Sequence, residues 1–427
     1  MTSPLPGASP RPSRLRFSSN ARRLLWIDRY VGVPVCMALT AVRRMSDLFS
    51  SRPDPGAPTR LLFLKLAEQG STVLACGAIK TAISLVGRER VYFLAFEENR
   101  FVVDILGLIP EENVLTIRTR SPGSMMASCL SRLRQIRRLG IDSCIDMEFF
   151  ARSSAVIAYL CGAKRRVGFH SYFGEGPYRG DLLTHRVLYN PHLHTSRTFT
   201  SLVRALETDP RRLPTFPWVP ETPEPPPAFR PEEAEVSAMR LFFRGMGAAD
   251  GSRIILLNAN ASDLLPLRKW DGRNYVELAR RILAKFAGSC VGFTGTAEEA
   301  PEVEKLAREV SSPRCFCIAG RTTMRELLVA YGLAEVLVTN DSGPAHFAAL
   351  TDIDVISLFG PETPLLFGAL GPRSHPLWTG LACSPCVNAF NNRQTACRDN
   401  VCMKSITVDQ VFSEVCRIYA QRGAKPA

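Results

Sequence analysis

Short apolar runs alternate with longer segments whose apolar residues recur at helical spacing. The runs read as strands and the longer segments as helices. Before residue 213 the predicted strands are 60–64, 91–95 and 141–146, with helices at 72–86 and 151–161. After residue 231 the predicted strands are 254–258, 290–294, 336–339 and 355–359, with helices at 275–286, 297–310 and 343–350. This alternation predicts an α/β protein built of parallel sheets with helices on both faces.

A proline-rich segment separates the two series of elements. Residues 214–231 read PTFPWVPETPEPPPAFRP, and so many prolines favour extended chain over helix. The sequence therefore predicts an N-terminal arm (1–59), a Rossmann-like domain (60–212), a linker (213–231) and a second Rossmann-like domain (232–427) across a cleft. Ligands of such sheets bind at the carboxyl ends of the strands, so the loops that follow strands should carry the chemistry.

The composition excludes several classes of protein, and the net charge indicates what kind of partner the protein binds. With 427 residues, 46% of them apolar and 22% charged, the chain is neither wholly disordered nor collagenous nor a coiled coil. Its 53 Lys and Arg against 40 Asp and Glu give a net charge of +13. Such a charge favours an acidic partner, which can be nucleic acid, an anionic membrane or a phosphorylated small molecule.

The charge is concentrated in the N-terminal arm. The first 60 residues hold ten Arg, no Lys and three Asp, a net of +7. An apolar run at 30–42 is bracketed by arginines, namely Arg22, Arg23, Arg29, Arg43 and Arg44. Thirteen residues are too few to span a bilayer, so we expect a helix that lies on an anionic membrane surface. The alternative is a helix packed on the protein's own surface. No nucleic-acid recognition module is apparent, so we expect no nucleic acid partner.

The thirteen cysteines divide into two groups. Most lie singly in apolar runs, which favours a reducing compartment. Together with the arm, this predicts a cytoplasmic protein peripheral to the inner face of the cell membrane. The exception is the segment 383–402, where Cys383, Cys386, Cys397 and Cys402 could hold a structural Zn²⁺ or be packing thiols or a local disulfide.

The first strand-to-helix loop runs from Lys65 to Thr72. Gly70 permits close approach of the backbone to a ligand, and Glu68 would lie near the mouth of the cleft. Alternatively, Glu68 only complements the positive end of the following helix.

The second and third loops offer groups for a nucleotide. In the second, small polar residues including Ser262 precede the adjacent cations Arg268 and Lys269, which suits a diphosphate, although an exposed turn with solvated charges explains the same pattern. In the third, Glu299 or Glu298 could bind a ribose hydroxyl or merely charge the helix start.

The fourth loop carries the most specific pattern. Asp341, Ser342 and Gly343 follow a strand, and His346 comes one turn further along the next helix. Asp341 or Ser342 can cap that helix, whose free amides form an anion site.

Several segments of the chain together resemble the family 9 glycosyltransferases, the ADP-heptose:lipopolysaccharide heptosyltransferase family. The segments are TNDSGPAHFAAL, SLFGPETP, CSPCVNAFNNRQTACRDNVCMKSIT, IDSCIDMEFFARSSAVIAYLCGAKRRVGF, NPHLHTSRTFTSLVRAL and LLFLKLAEQGSTVLACGAI. The resemblance runs from about residue 60 to the C-terminus. It implies the two-domain GT-B fold, with an acceptor-binding first domain and a donor-binding second domain. It also implies inverting transfer of a sugar, typically heptose from its ADP derivative, to a lipopolysaccharide-core or other lipid-linked or cell-surface glycan.

The resemblance also assigns roles to individual residues. The family's proposed general base, an aspartate, falls on Ser71, so the base would move to Glu68 on the same loop. Arg268 takes the place of the family's phosphate-contacting lysine. Asp341, Ser342, Gly343 and His346 match its donor motif, and Glu299, with Glu298 as the alternative, takes the place of its ribose-binding carboxylate. Ala259 and Asn260 replace a family Pro-Gly.

The mechanism implied is direct displacement. Glu68 would remove a proton from an acceptor hydroxyl while Arg268 and the amides at Ser342 and Gly343 hold the departing diphosphate, with no metal or cofactor required. The serine at position 71 keeps a second hypothesis open, a catalytically inactive sugar-nucleotide-binding or scaffold protein of the same fold.

Overall fold

The computed structural model describes residues 26–49, 56–261 and 265–423. Ser262, predicted to contact the donor, and most of the arginine-rich arm, including Arg22 and Arg23, lie outside the described residues. Within the part that is described, two parallel sheets of six strands account for the chain on either side of the proline-rich linker. We call residues 60–212 the N-terminal half and residues 232–423 the C-terminal half.

The N-terminal half is an α/β layer structure preceded by helix α1 (Gly32–Phe49). Its strands are β1 (Leu61–Leu64), β2 (Val91–Phe96), β3 (Val114–Ile117), β4 (Ser143–Asp146), β5 (Arg165–Phe169) and β6 (His185–Val187). Its helices are α2 (Gln69–Leu74), α3 (Cys76–Val86), α4 (Arg100–Leu106), α5 (Pro122–Arg138), α6 (Arg152–Leu160) and α7 (Thr195–Arg204). The strand order β3-β2-β1-β4-β5-β6 is that of a doubly wound sheet.

The C-terminal half repeats this plan. Its strands are β7 (Arg253–Asn258), β8 (Ser289–Phe293), β9 (Cys315–Cys317), β10 (Val336–Asn340), β11 (Asp354–Phe359) and β12 (Ser374–Trp378). Its helices are α8 (Glu233–Gly245), α9 (Gly272–Lys285), α10 (Ala300–Val310), α11 (Met324–Leu333), α12 (Gly343–Ala348), α13 (Pro364–Phe367), α14 (Val401–Lys404) and α15 (Val408–Gly423). The order β12-β11-β10-β7-β8-β9 puts β7 and β10 side by side, as β1 and β4 are in the first sheet.

The predicted α/β class and the parallel sheets are confirmed, but the prediction lacks several elements, among them the long helices α5, α8 and α15. The predicted helix 72–86 is two helices, because the chain turns at Ala75 between α2 and α3. Strands β3, β5, β6, β9 and β12 are absent from the prediction. They have three to five residues each, and several carry polar residues such as Arg165 and His185, so their apolar pattern is weak.

The linker contacts both halves. Residues 213–231, all of them described, form neither helix nor strand. Lys80 of α3 holds Glu224 at 2.7 Å, and the amide of Phe229 donates to the carbonyl of Leu350 at 2.7 Å. The linker is therefore attached to both halves, to the first near its middle and to the second near its C-terminal end.

Helix α1 contains most of the apolar run predicted to lie on a membrane. Cys36 and Thr40 are buried on its inner face, and Cys36 packs with Ala155 of α6 and with Leu182. Packing on the protein's own surface therefore holds for this face, while Met45 and Phe49 on other faces are exposed. Within the described residues, no helix is both long and apolar enough to cross a membrane.

The two halves meet where α2 touches α12. Gly70 in α2 lies so close to the other half that an added Cβ would come 2.6 Å from Cδ2 of His346 and 3.1 Å from Cα of Gly343. Apolar residues continue the contact, and the rings of Phe101 and Phe347 lie 5.8 Å apart at a steep angle. The interface therefore depends on a missing side chain at position 70.

We expect Gly70→Ala to destabilise the protein by about 1–3 kcal/mol, because the new methyl group overpacks the contact with His346. Gly332→Ala is the matched control. It also lies in a helix, but no atom of the described chain would come within 4 Å of its Cβ. Alanine there should leave stability unchanged or raise it by up to about 1 kcal/mol. Urea unfolding measures both, and equal effects at the two sites would contradict the overpacking argument.

Candidate active site

A cavity of about 730 Å³ lies between the halves, at the carboxyl ends of β1, β7, β10 and β11. This is the size of a pocket for a small molecule or cofactor. The sequence-predicted residues that line it come from all four predicted loops. They are Glu68, Gly70, Ser71, Arg268, Glu299, Asp341, Ser342, Gly343 and His346.

Two predicted residues are placed differently. Lys269 is half-buried and falls outside the described lining of the cavity, because the chain leaves the short turn at Arg268 with successive side chains pointing different ways. Glu298 is exposed and also falls outside that lining, so of the two candidate carboxylates the structure brings Glu299 to the cavity.

The loop after β1 is held by a buried ion pair. Lys65 is fully buried, and its Nζ lies 3.1 Å from Glu148 and 3.5 Å from Glu68. The other oxygen of Glu148 accepts from the amides of Leu66 and Ala67, at 2.7 and 3.0 Å. Glu68 itself has the left-handed backbone conformation, with φ 66°. This loop is therefore fixed in shape, and its strained residue is the predicted base.

Glu68 is paired with a cation from the opposite half. Arg393, in the cysteine-rich segment, binds the Glu68 carboxylate directly. Burial alone would raise the pKa of Glu68, but Arg393, Lys65 and Arg268 outweigh it and hold the pKa at about 2. Glu68 is therefore ionised at neutral pH, and it is a weak base while Arg393 stays in place.

Ser71 is a structural residue at the start of α2. Its hydroxyl donates to the carbonyl oxygen of Glu68 at 2.8 Å and lies 3.4 Å from the Glu68 carboxylate. These contacts stabilise the start of α2. The carboxylate that they place beside the Ser71 hydroxyl is that of Glu68.

Arg268 lies between two acidic side chains. Its Nη1 is 3.4 Å from Glu362 and 3.7 Å from Asp341, and both carboxyl groups are almost fully buried. Burial and the neighbouring Glu362 raise the pKa of Asp341 well above its usual range, although Arg268 opposes them. A carboxyl group of this kind stays protonated at higher pH and can donate a hydrogen bond.

His346 is neutral. Burial lowers its pKa to about 4, and nearby His194 and Arg268 act in the same direction.

Ser342 directly precedes α12, but its hydroxyl donates to the carbonyl of Asn340 and bonds no described amide of the helix. The prediction that Asp341 or Ser342 caps this helix is thus wrong, since neither side chain makes the capping bond in the described structure.

Glu299 and Asn260 form the far side of the cavity. The Glu299 carboxylate accepts from the amide of Thr296 at 2.9 Å, so it supports the start of α10 as well as lining the cavity. Asn340, fully buried, ties the donor loops together: its side-chain amide group donates to the carbonyls of Ala259 and Asn260, and its oxygen accepts from the amide of Trp270.

Five buried polar atoms of residues that line the cavity make no hydrogen bond to any described residue. They are Nδ2 of Asn260, Nε of Arg268, Oδ2 of Asp341, Nδ1 of His346 and Oε1 of Glu362. Buried polar atoms are nearly always paired in folded proteins, so unpaired ones that share a cavity indicate a polar ligand.

Three functional candidates were missed in the sequence. Glu362 lies in the quoted SLFGPETP segment and could have been found there. Glu148 comes soon after β4, as Glu68 comes soon after the neighbouring β1, and this is a signal that the topology supplies. Arg393 lies in the cysteine-rich segment, more than three hundred residues from Glu68. No local sequence pattern predicts the contact between the two.

The cysteine-rich segment crosses the cleft. It is rooted in the C-terminal half, yet Phe390 packs against Phe150 and Tyr189 of the N-terminal half, with ring centres 5.9 and 5.2 Å apart. All thirteen cysteines are free thiols. Among the described residues, no three His, Cys, Asp or Glu side chains come together in a group that could hold a metal ion.

Comparison with known proteins agrees with this geometry. Residues 129–396 match the family described as glycosyltransferase family 9 (heptosyltransferase). The lipooligosaccharide heptosyltransferase 2 of Haemophilus influenzae is 30% identical over 125 residues, which are 29% of this chain and 36% of that protein. The enzyme of the same name from Campylobacter jejuni serotype O:6 is 25% identical over 174 residues, 39% of this chain and 51% of that protein. The matched stretches thus span between about a third and a half of these relatives.

Solved structures share the fold. The E. coli ADP-heptose lipopolysaccharide heptosyltransferase II aligns with a TM-score of 0.63 at 17% identity, over 86% of this chain and all of that one. The E. coli heptosyltransferase WaaC with ADP aligns with a TM-score of 0.58 at 15% identity, over 84% of this chain and all of that one. Two facing Rossmann-like sheets are the GT-B fold of these heptosyltransferases. Since the family match covers more than half of its residues, this chain belongs to glycosyltransferase family 9, the heptosyltransferase family.

Proposed function

We propose that this protein is an inverting glycosyltransferase that moves a sugar, with heptose as the expected one, from a nucleoside diphosphate donor to a lipid-linked or lipopolysaccharide acceptor. ADP-heptose is the donor that the family relationship favours. The observation that carries the proposal is the set of unpaired buried atoms, including those of Asn260, Arg268 and His346, which share one cavity with the acidic and basic groups of the opposite half.

The C-terminal half would bind the donor. Arg268 can hold a phosphate through two parallel hydrogen bonds, and its Nε is free to do so. Protonated Asp341 can donate to a further ligand oxygen, and Glu299 lies where a ribose hydroxyl would fit. We propose that these side chains, with Arg393, stabilise the charge that grows on the leaving diphosphate, and that no metal ion or other cofactor takes part.

The N-terminal half would bind the acceptor and supply the base. Glu68 would accept the proton of the acceptor hydroxyl as that oxygen attacks the anomeric carbon and the diphosphate leaves from the opposite face. While Arg393 holds Glu68, the carboxylate is too weak a base for this step. A bound diphosphate offers Arg393 a second anion, so donor binding would draw Arg393 away and raise the pKa of Glu68.

Glu68→Gln tests the base. We expect at least a hundredfold loss of sugar transfer, because an amide cannot take up the proton, with ADP binding retained or tightened, because Arg393 no longer has to leave a carboxylate. Release of ADP from ADP-heptose in the presence of a lipopolysaccharide-containing membrane extract measures transfer. Glu98→Gln is the matched control, since Glu98 binds Thr119 on the same face but lies outside the described lining of the cavity. Wild-type turnover by Glu68→Gln would exclude this base.

The same assay separates the enzyme from an inactive binder of the same fold. The specific reason to keep that alternative is Ser71, which stands at the family's base position. ADP binding by wild-type protein, without turnover of any nucleotide sugar in a panel, would favour the binder.

Arg393→Gln tests the control of Glu68. The plot of log kcat/KM against pH reports the free enzyme, in which Arg393 holds the pKa of Glu68 at about 2. A base must be ionised to act, so activity falls as the pH drops through its pKa. Removing Arg393 raises that pKa, and we expect the acidic fall in kcat/KM to move to higher pH. Arg398→Gln, an exposed arginine of the same segment, should leave the profile in place. An identical shift in both variants would contradict a specific pairing.

Asp341 is tested by a neutral pair of variants. If its raised pKa means that it binds the donor as a neutral carboxyl, Asp341→Asn should hold ADP within about threefold of wild type. Asp341→Ala should lose about tenfold, the cost of one hydrogen bond in a buried site. Isothermal titration with ADP measures both. Equal losses in the two variants would show that the charge of Asp341 is what matters.

A further inference from the structure

Helix α1 presents an apolar face to solvent. Cys36 and Thr40 point into the protein, and residues about half a turn away from them point outward. The outward residues are apolar and largely exposed, with exposed fractions of 49% for Val31, 56% for Val42, 61% for Met45, 81% for Leu48 and 85% for Phe49. A contiguous apolar stripe of this kind on a folded surface marks a binding surface.

Polar contacts fix helix α1 to the N-terminal half, so its apolar face points to solvent. Asp28, just before α1, accepts from Arg152 at the start of α6, through its amide at 3.0 Å and its guanidinium at 2.5 Å. Arg43 pairs with Asp181 at 2.7 Å, and the amide of Asp181 donates to the Thr40 hydroxyl at 2.9 Å. The helix therefore lies along the surface of the N-terminal half with its polar contacts turned inward.

A basic cavity adjoins this helix. It measures about 420 Å³, and its lining includes Arg44 of α1 and Arg186 of β6. Three arginines, Arg43, Arg44 and Arg186, pair with Asp181, and Arg43 also lies 3.6 Å from Asp47, so three cations against two carboxylates leave the cluster a net positive charge. On the same loop, Phe173 is 98% exposed between two residues that line the cavity.

We propose that the outward face of α1 and the neighbouring arginine cavity form a membrane-docking surface for an anionic bilayer. The apolar side chains enter the boundary between headgroups and acyl chains, and Arg44 and Arg186 bind lipid phosphates beside them. Helix α1 lies in the plane of the bilayer, as its contacts with α6 along its length require.

Charge favours a bilayer over a second copy of the chain. The exposed Arg44 and Arg29 flank the apolar stripe, and the sequence before it adds Arg22 and Arg23. In a two-fold dimer through α1 these cations would be brought toward one another, whereas an anionic surface neutralises all of them. Apolar centre and basic flanks are the pattern of an interfacial helix.

The docking surface also bears on how the proposed enzyme reaches its acceptor. This step of the argument, and no other, rests on the proposed function. Helix α6, which carries α1, follows the strand whose end supplies Glu148 to the Glu68 loop. A docked protein thus has the acceptor side of its cleft close to the bilayer, where a lipid-linked acceptor resides.

Co-sedimentation with vesicles tests the docking surface. The full chain is mixed with vesicles of phosphatidylcholine alone or with phosphatidylglycerol added. We expect binding to the anionic vesicles, at least tenfold weaker binding for Met45→Glu, and about fivefold weaker binding for Arg44→Gln. The controls are Leu241→Glu on α8, whose leucine is 68% exposed, and Arg398→Gln, both in the C-terminal half. Neither should change vesicle binding.

Several outcomes would overturn the proposal. Wild-type binding by Met45→Glu would remove the apolar face from the contact, and equal losses in Leu241→Glu would make the effect nonspecific. A dimer in light scattering that Met45→Glu dissociates, with no vesicle binding by wild type, would assign the face to a second copy. ADP affinity, measured in parallel, shows that each variant is folded. Absence of ADP binding by wild type would count against the proposed function and leave the vesicle result standing.

Discussion

The contact of the two halves at Gly70, which meets His346 and Gly343, sets the geometry of the whole cleft. Two parallel sheets present their carboxyl ends to each other, and the groups that follow those strands can act together only if the sheets come near enough. A side chain at position 70 would hold them apart. Because it is absent, Glu68 on one half comes within ion-pair distance of Arg393 on the other.

Buried charge is the second constraint. The site removes several carboxylates and cations from water, which is costly unless each has a partner. Lys65 is balanced by Glu148, and Arg268 by Glu362, but the balance is incomplete at Asp341, where burial and Glu362 raise the pKa well above its usual range. An arrangement of this kind does not maximise stability. It holds polar groups in fixed positions, where a charged ligand can replace one member of an ion pair.

Sequence reasoning found the parts of the site that follow a local rule. Glu68, Glu299 and Asp341 each come just after a strand, and parallel topology brings all such positions to one edge. Arg393 follows no strand or helix of this kind, and only the folded course of its loop puts it beside Glu68. The strands that escaped prediction carry polar residues or a proline, or have only three residues, so their apolar pattern could not be distinguished from loop. Lys269 was misplaced because adjacency in sequence does not mean a shared direction.

The loop that carries Arg393 also carries Phe390. Arg393 binds Glu68 in the cleft, and Phe390 anchors the same loop to the N-terminal half. Phe390 sits among aromatic rings of the N-terminal half while both ends of its loop belong to the other half. Any widening of the cleft must stretch this loop before it can pull the ring free. The loop is therefore a tether, and its slack limits how far the halves can separate for an incoming donor while Phe390 stays packed.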